Sequence, residues 1–353
     1  MKLVELGLNS KLKKFINENK LNDFEIGRVI AEHKELYIVQ TNQGELEAEI
    51  TGNLRFSANK REDFPAVGDW VALTIYDELA IIHRILPRYS IIKRQAIAEF
   101  GEVQILASNV DYALILQAVD RDFNINRLER YLSICDSSKI IPIIIITKID
   151  LITEEEISEI KEKIQVRINN ATVIPISNKT QKGYQVLNKV IEKGKTYCLL
   201  GSSGVGKSSL VNNLSAKDLM RTDSISESTN RGKHVTTHRE LILLKNGAIL
   251  IDNPGIKEVG ITDKTAGFEN TFNEIYSLAK DCKFKNCTHT TELGCSVLLA
   301  IKNGELDKTH YNNYLKIQKE KDYFESTVTE KRQQEKSFAK MQKDYKKKNI
   351  KRG

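Results

Sequence analysis

Residues 201–208 read Gly-Ser-Ser-Gly-Val-Gly-Lys-Ser, and they fall in the second half of the chain. The apolar run Thr196–Leu200 precedes them and Ser208–Leu214 has the pattern of a helix start, so the glycines join a buried strand to a helix. Glycine permits backbone angles closed to other residues and lets amide N–H groups approach phosphate oxygens. The helix N-terminus adds partial positive charge at the same point. Gly201, Ser202, Ser203, Gly204, Val205, Gly206, Lys207, Ser208 and Ser209 are therefore expected to hold the phosphates of a nucleotide. Lys207 would reach the β- and γ-phosphates and Ser208 would hold Mg²⁺. Strand, loop and helix in this order require an α/β layer built around the loop.

What precedes that loop restricts the topology further. Ile140–Ile146 is an apolar run suited to a strand buried on both faces, and Thr147, Lys148 and Asp150 follow it. A carboxylate there can accept two hydrogen bonds from guanine, at N1–H and at the 2-amino group. Adenine offers no such pair, and sites of this kind discriminate by ~10⁴ or more. Lys148 can lay its stem along the base, while Thr147 stands where most such sites have Asn. Ser177 ends a second apolar run, Thr172–Ile176, and fits the loop that backs the guanine. Downstream, Asp252 ends the run Ala248–Ile251 and is expected to be the carboxylate beyond Mg²⁺, with Gly255 donating its amide to the γ-phosphate. Ordinary GTPases place the phosphate loop first and the base-reading segment last. Here the halves are exchanged, so the chain reads as a circularly permuted GTPase domain. Permutation is tolerable because domain termini often lie close together at the surface. One result is that the segment after Asp252 leads directly into a C-terminal part.

Between Ser215 and Arg239 lies a polar stretch rich in Ser, Thr, Asn and Arg, where a γ-phosphate-sensing switch would sit. Thr236 or Thr237 is the candidate Mg²⁺ ligand. His234 is either the residue that positions the attacking water or an exposed loop residue. Ile256 occupies the place of the catalytic Gln of Ras-like proteins, and an apolar side chain cannot orient water, so a catalytic group must come from elsewhere.

A second constellation is Cys282, Cys287, His289 and Cys295. Three cysteines and a histidine this close make a tetrahedral zinc set, and with four protein ligands the site is expected to be closed and structural. Lys283, Lys285, Asn286 and Thr288 surround them, a poor environment for core thiols. Cys135 and Cys198 lie in apolar segments and read as buried thiols, so no disulfide framework is implied and a reducing compartment is expected.

Four segments, Phe24–Gln40, Gly44–Thr51, Asp69–Asp77 and Ala80–Leu86, alternate or cluster β-formers between turn residues and suit a small barrel of OB type. Trp70 is expected in its core. Helices are expected near Asn126–Ser138, Glu154–Asn169, Gly183–Lys193 and Leu306–Thr327. Hydrophobic content of 40% allows real cores, and no apolar run approaches a membrane span. The N-terminus lacks a signal-peptide pattern, so a cytoplasmic location is expected and no membrane partner. Residues 331–353 hold ten Lys or Arg against two Asp or Glu, a surplus of eight that exceeds the whole chain's net +7. Such a tail is either a solvated end or an arm for RNA phosphates.

The permuted order, the zinc spacing and the β-rich N-terminal segment together resemble the ribosome small-subunit-dependent GTPase A (RsgA) family. Matching stretches are Pro65–Val71, Leu86–Ser90, Ala107–Tyr112 and Asn126–Tyr131. The resemblance implies three domains: an all-β OB-fold barrel, an α/β P-loop GTPase domain that is circularly permuted, and an α-rich zinc-binding domain. These correspond here to residues 1–100, 101–262 and 263–353. It implies GTP and GDP as ligands, Mg²⁺, and one Zn²⁺ per chain. It also implies a monomer that binds the 30S ribosomal subunit and its 16S rRNA late in maturation, with GTP hydrolysis stimulated by the subunit. The family's switch carries His followed by three Thr. This chain has His234-Val-Thr-Thr237, which puts His234 at the catalytic position and Val235 in place of the first Thr. Two other readings stay open on the residues alone: an ATP-using P-loop enzyme, which Asp150 opposes, and an RNA-binding scaffold that uses GTP only as an ordering ligand.

Overall fold

The computed structural model describes residues 2–33, 36–77, 79–95, 103–120, 123–168, 171–215, 240–252 and 267–325. An N-terminal helix, α1 (Ser10–Glu18), is capped by the Asn9 side chain and leads into β1 (Glu25–His33), β2 (Leu36–Gln40) and β3 (Glu45–Ile50). A short helix, α2 (Gly52–Ser57), precedes β4 (Trp70–Tyr76) and β5 (Leu79–Ile85). These five strands run in the order β1-β2-β3-β5-β4, and β4 pairs back onto β1, so the barrel is closed. Closure leaves no free edge inside the barrel. Its interior is filled by Val29, Tyr37, Val39, Ala48, Ile50, Val71, Leu73, Ala80 and Ile82. Trp70 is 1% exposed, a core residue as expected. The sequence run Phe24–Gln40 is two strands, β1 and β2, paired antiparallel with a bulge between Val29 and Ala31.

A hairpin, β6 (Ile91–Gln95) with β7 (Val103–Ser108), connects the barrel to the central sheet. That sheet is built from β8 (Tyr112–Ala118), β9 (Ile141–Thr147), β10 (Val173–Pro175), β11 (Thr196–Leu200), β12 (Glu240–Leu243) and β13 (Ile249–Asp252). Their order is β10-β9-β8-β11-β13-β12, all neighbours parallel except β12. Helices α3 (Ile125–Ser137), α4 (Glu154–Arg167), α5 (Tyr184–Val190) and α6 (Lys207–Leu214) complete this layer. Ile143 and Ile145 pack into one core, Ile144 and Ile146 into the other, which explains the unbroken isoleucine run of a strand covered on both faces. Helix α4 starts at a reciprocal cap between Thr153 and Glu156, with three glutamates in its first turn favoured by the helix dipole.

Barrel and central sheet are tied at two places. Ala31 of β1 pairs with Glu240 of β12, so the two sheets form one continuous strand series. Beside that joint Arg28, 1% exposed, donates to the carbonyls of Leu6, Gly68 and Asn109 and to the Thr196 hydroxyl. One guanidinium therefore fixes the N-terminal segment, the barrel, the end of the hairpin and the start of β11, with each of its three nitrogens hydrogen-bonded.

The C-terminal part comprises α7 (Gly267–Thr271), α8 (Asn273–Ala279), α9 (Ser296–Asn303) and α10 (Lys308–Glu325). Phe268, Phe272, Tyr276 and Tyr314 form an aromatic cluster between these helices, and His310 packs on Phe272. Among the described residues no helix is long and apolar enough to cross a membrane.

Candidate nucleotide site and metal centre

Parallel pairing brings the expected site residues to one edge of the central sheet. Cys198 pairs with Ile251, Leu200 with Ile115, Ala118 with Thr147 and Pro175 with Ile146. The phosphate loop, Asp252, the Thr147–Asp150 turn and Ser177 therefore all leave the sheet at the carboxyl ends of its strands, where ligands of open α/β sheets bind. In the phosphate loop a Cβ on Gly201 would lie 2.7 Å from the Leu116 carbonyl oxygen, and Gly206 has φ +96° at the start of α6. Both positions need glycine, one for close approach and one for its backbone angle. Lys207 Nζ donates to the carbonyls of Gly201 at 2.7 Å and Ser202 at 2.5 Å, so its ammonium spans the mouth of the loop.

On the base side, Ser177 Oγ donates to Asp150 Oδ1 at 2.6 Å and accepts from the Thr180 amide at 3.0 Å. The carboxylate expected to read the base is thereby held from behind. Lys148 adopts a left-handed conformation, φ +61°, and its ammonium pairs with Asp120 Oδ2 at 2.7 Å, which fixes the direction of its stem. Thr147 is buried, and its hydroxyl donates to the Val205 carbonyl of the phosphate loop at 2.7 Å.

Three polar side chains that the sequence did not single out belong to this arrangement. Asn178 Nδ2 donates to the Gly206 carbonyl at 3.0 Å, Arg127 Nη1 donates to Ser202 Oγ at 2.9 Å, and Asp120 holds Lys148. Each sits next to a recognisable element but has a residue type common in any loop, so no spacing announces it. His234, Thr236, Thr237, Gly255 and Ile256 lie outside the described residues, as does the basic tail.

The four metal candidates converge. The ligand atoms of Cys282, Cys287, His289 and Cys295 all lie within 4.8 Å of one another. Cys282 Sγ is 3.8 Å from Cys295 Sγ and 3.5 Å from His289 Nδ1, and Nδ1 is 3.4 Å from Cys295 Sγ. A zinc tetrahedron with Zn–S of about 2.3 Å has sulfur–sulfur edges of about 3.8 Å, so the set fits the ion. Cys295 caps α9, with the Leu298 amide 3.5 Å from its sulfur. His289 is held at φ +59°, a region that costs a non-glycine residue about 1–3 kcal/mol. Tyr311 of α10 stabilises it by donating to the His289 carbonyl at 2.5 Å. By contrast, burial pushes the Cys198 thiol up to about 12 and Cys135 well above its ordinary value, the behaviour of inert core thiols.

The C-terminal helices are docked on α3. Glu129, completely buried, accepts from Arg167 Nε at 2.9 Å, His310 Nδ1 at 2.7 Å and Asn313 Nδ2 at 2.5 Å. Arg167 also pairs with Asp307 at 3.0 Å, and Arg130 forms a two-pronged pair with Glu320. The first turn of α3 thus holds Ser202 of the phosphate loop through Arg127, while its next turn holds α10 through Glu129.

Base-reading strands that precede the phosphate loop, in a sheet with a single antiparallel edge strand, define a circularly permuted P-loop GTPase. A family model described as RsgA GTPase matches residues 85–262. The "Small ribosomal subunit biogenesis GTPase RsgA 1" of Listeria innocua is 41% identical over 298 residues, 84% of each chain. "RsgA 2" of Lactiplantibacillus plantarum is 39% identical over 322 residues, 91% of this chain and 90% of that one. A solved structure titled YloQ, a circularly permuted GTPase, is 27% identical with a TM-score of 0.60, covering 85% of this chain and 96% of its own. YjeQ from Thermotoga maritima, 22% identical with a TM-score of 0.59, shares the fold over 83% of this chain and 96% of its own. The chain belongs to the RsgA GTPase family and is a GTP hydrolase.

Proposed function

We propose that this GTPase binds the small (30S) ribosomal subunit through its 16S rRNA and assists its late maturation in the cytoplasm. It would act as a monomer and hydrolyse GTP to GDP and phosphate when the subunit stimulates it. The observation that carries the nucleotide part is the joining of the two site halves: Thr147 of the base-reading turn donates to Val205 of the phosphate loop at 2.7 Å. The ribosomal part rests on relatives named as small ribosomal subunit biogenesis GTPases.

In this reading Asp150 and Lys148 recognise guanine, with Ser177 supporting Asp150. Gly201 to Ser209 enclose the phosphates, Lys207 neutralises the β- and γ-oxygens, and Gly255 donates to the γ-phosphate. Ser208 and one of Thr236 and Thr237 would hold Mg²⁺, with Asp252 the carboxylate beyond them. When bound, that ion neutralises charge that develops between the β- and γ-phosphates. His234 orients the attacking water, the task that Ile256 cannot perform. Cys282, Cys287, His289 and Cys295 hold one structural Zn²⁺. Three domains, 1–100, 101–262 and 263–353, remain the proposed division. Phosphate release measured with and without purified 30S subunits, joined to co-sedimentation with GDP or a non-hydrolysable GTP analogue, tests the assignment. Turnover that 30S leaves unchanged, together with no sedimentation in either state, would refute it.

A further inference from the structure

Thr147 carries a hydroxyl where most such sites carry an amide, and a hydroxyl has one hydrogen to donate. That hydrogen goes to the Val205 carbonyl at 2.7 Å, with the Gln117 carbonyl more distant at 3.3 Å. Thr147 can therefore hold one carbonyl of the phosphate loop and has no second donor for anything else. The adjoining carbonyl, that of Gly206, is held from the other base-side loop by Asn178 Nδ2 at 3.0 Å.

Asn178 is itself oriented by a closed set of bonds. Tyr184 OH donates to Asn178 Oδ1 at 2.7 Å and accepts from Asn213 Nδ2 at 2.9 Å. Asn213 Nδ2 also lies 3.0 Å from the Asn178 carbonyl. Turning the amide over would set oxygen against the Gly206 carbonyl and leave the Tyr184 hydroxyl hydrogen without its acceptor. The network therefore fixes which end of Asn178 faces the phosphate loop. Contact is close: a Cβ on Gly206 would lie 2.6 Å from Nδ2. Along the chain Asn178 follows Ser177, which holds Asp150, and Gly206 precedes Lys207. The path from the base-reading carboxylate to the phosphate-reading ammonium thus runs Asp150, Ser177, Asn178, Gly206, Lys207.

We propose that Asn178 is a positioning residue of the nucleotide site. It shares with Thr147 the clamp between base-reading and phosphate-binding loops that a single amide at position 147 would supply, and it thereby sets guanine-nucleotide affinity. The inference rests on the proposed nucleotide site and adds to it a residue outside the recognition pattern. Asn178 does not touch the reacting atoms, so it acts on binding of GTP and GDP alike and not on the chemical step.

The test uses full-length protein with fluorescent GDP and a GTP analogue, and steady-state hydrolysis with 30S. Asn178→Ala should weaken both nucleotides about tenfold, the size of one or two lost hydrogen bonds, and leave kcat at saturating GTP within about twofold. Asn178→Asp preserves shape but turns the donor into an acceptor facing a carbonyl, and it should lose at least as much. Thr147→Asn placed in the Asn178→Ala chain should recover most of the lost affinity, because an amide at 147 restores the missing donor. Wild-type affinity in Asn178→Ala or in Asn178→Asp overturns the inference. So does a double variant no tighter than Asn178→Ala, which would mark Asn178 as a purely structural residue. A wild-type chain that prefers ATP to GTP would remove the proposed guanine site itself, whereas selective wild-type binding with an indifferent Asn178 removes only this inference.

Discussion

Asp150 has two carboxylate oxygens, and Ser177 donates to one of them at 2.6 Å. That bond orients the group without exhausting it, since an ionised carboxylate accepts about four hydrogen bonds. Asp150→Asn replaces an acceptor by a donor on the side that would meet guanine. The variant should lose its preference for GTP over ATP at a cost of about 1.5–3 kcal/mol, read by nucleotide competition. Selectivity equal to wild type would remove Asp150 from base reading. Two side chains separate binding from catalysis in the same way. Lys207→Ala should damage GTP binding, because its ammonium spans the phosphate loop. His234→Ala should lower 30S-stimulated turnover and spare affinity, since it would act on the water and not on the ground-state nucleotide. Wild-type stimulated turnover in the His234 variant would take that residue out of the mechanism. Among single residues, those in patterned runs were legible: Lys207, Asp150 and the four metal candidates each follow from type and spacing. Glu129 was not. Its partners Arg167, His310 and Asn313 lie up to 184 positions away in sequence, and no local pattern reports a contact of that range.

Helix α3 is the element on which both ends of the machinery rest. Through Glu129 it carries a buried carboxylate with three donors, and removing one partner of such a network leaves the others desolvated and unsatisfied. Glu129→Ala should destabilise the docking of α10 by about 3 kcal/mol, visible as an early unfolding transition of the C-terminal helices while nucleotide binding persists. A single transition at the wild-type position would contradict it. Elements with strong periodicity were legible for a physical reason. Strands β8, β9, β11 and β13 are covered by side chains on both faces, so their apolar runs are continuous. The OB barrel showed itself by alternation. Helix α1, the hairpin of β6 and β7, and helices α7 to α9 did not, because they are short or lie among charged residues, and tertiary contacts rather than local pattern fix them. Helix α5 runs only Tyr184–Val190, shorter than the apolar pattern of 183–193 implied, as the chain turns away at Ile191.

For the whole molecule, the proposed zinc set would decide whether the C-terminal helices exist as a unit. Aromatic packing joins these helices to one another, and the Glu129 network and the Arg130–Glu320 pair hold them to α3, while Cys282, Cys287, His289 and Cys295 converge at the start of α9. One Zn²⁺ per chain is expected by metal analysis, and Cys287→Ser should unfold the C-terminal part while GTP binding survives. Metal-free native protein would refute the site. As the proposed arm for RNA phosphates, the basic tail would act by charge: deleting residues 331–353 should weaken 30S binding in both nucleotide states and flatten its salt dependence, because Lys and Arg contacts release phosphate counterions. Binding should remain tighter with a GTP analogue than with GDP, since only differential affinity lets nucleotide bias the complex. Unchanged affinity and slope would make the tail a solvated end.

The strand order also has a bearing on how the protein is made. Strand β8 occupies the middle of the central sheet, between β9 and β11, but β11 follows it by a long stretch of chain. During synthesis β8, β9 and β10 emerge first and can assemble into a half-sheet whose β8 border is still open. At roughly 5–20 residues per second, the interval from Ala118 to Thr196 lasts roughly 4–16 seconds. For that time the nascent chain presents an unpaired, apolar β8 edge of the kind that recruits other strands. A protein proposed to serve ribosomes would thus carry an open apolar strand edge during its own synthesis, and translation speed across residues 119–195 becomes a determinant of its yield.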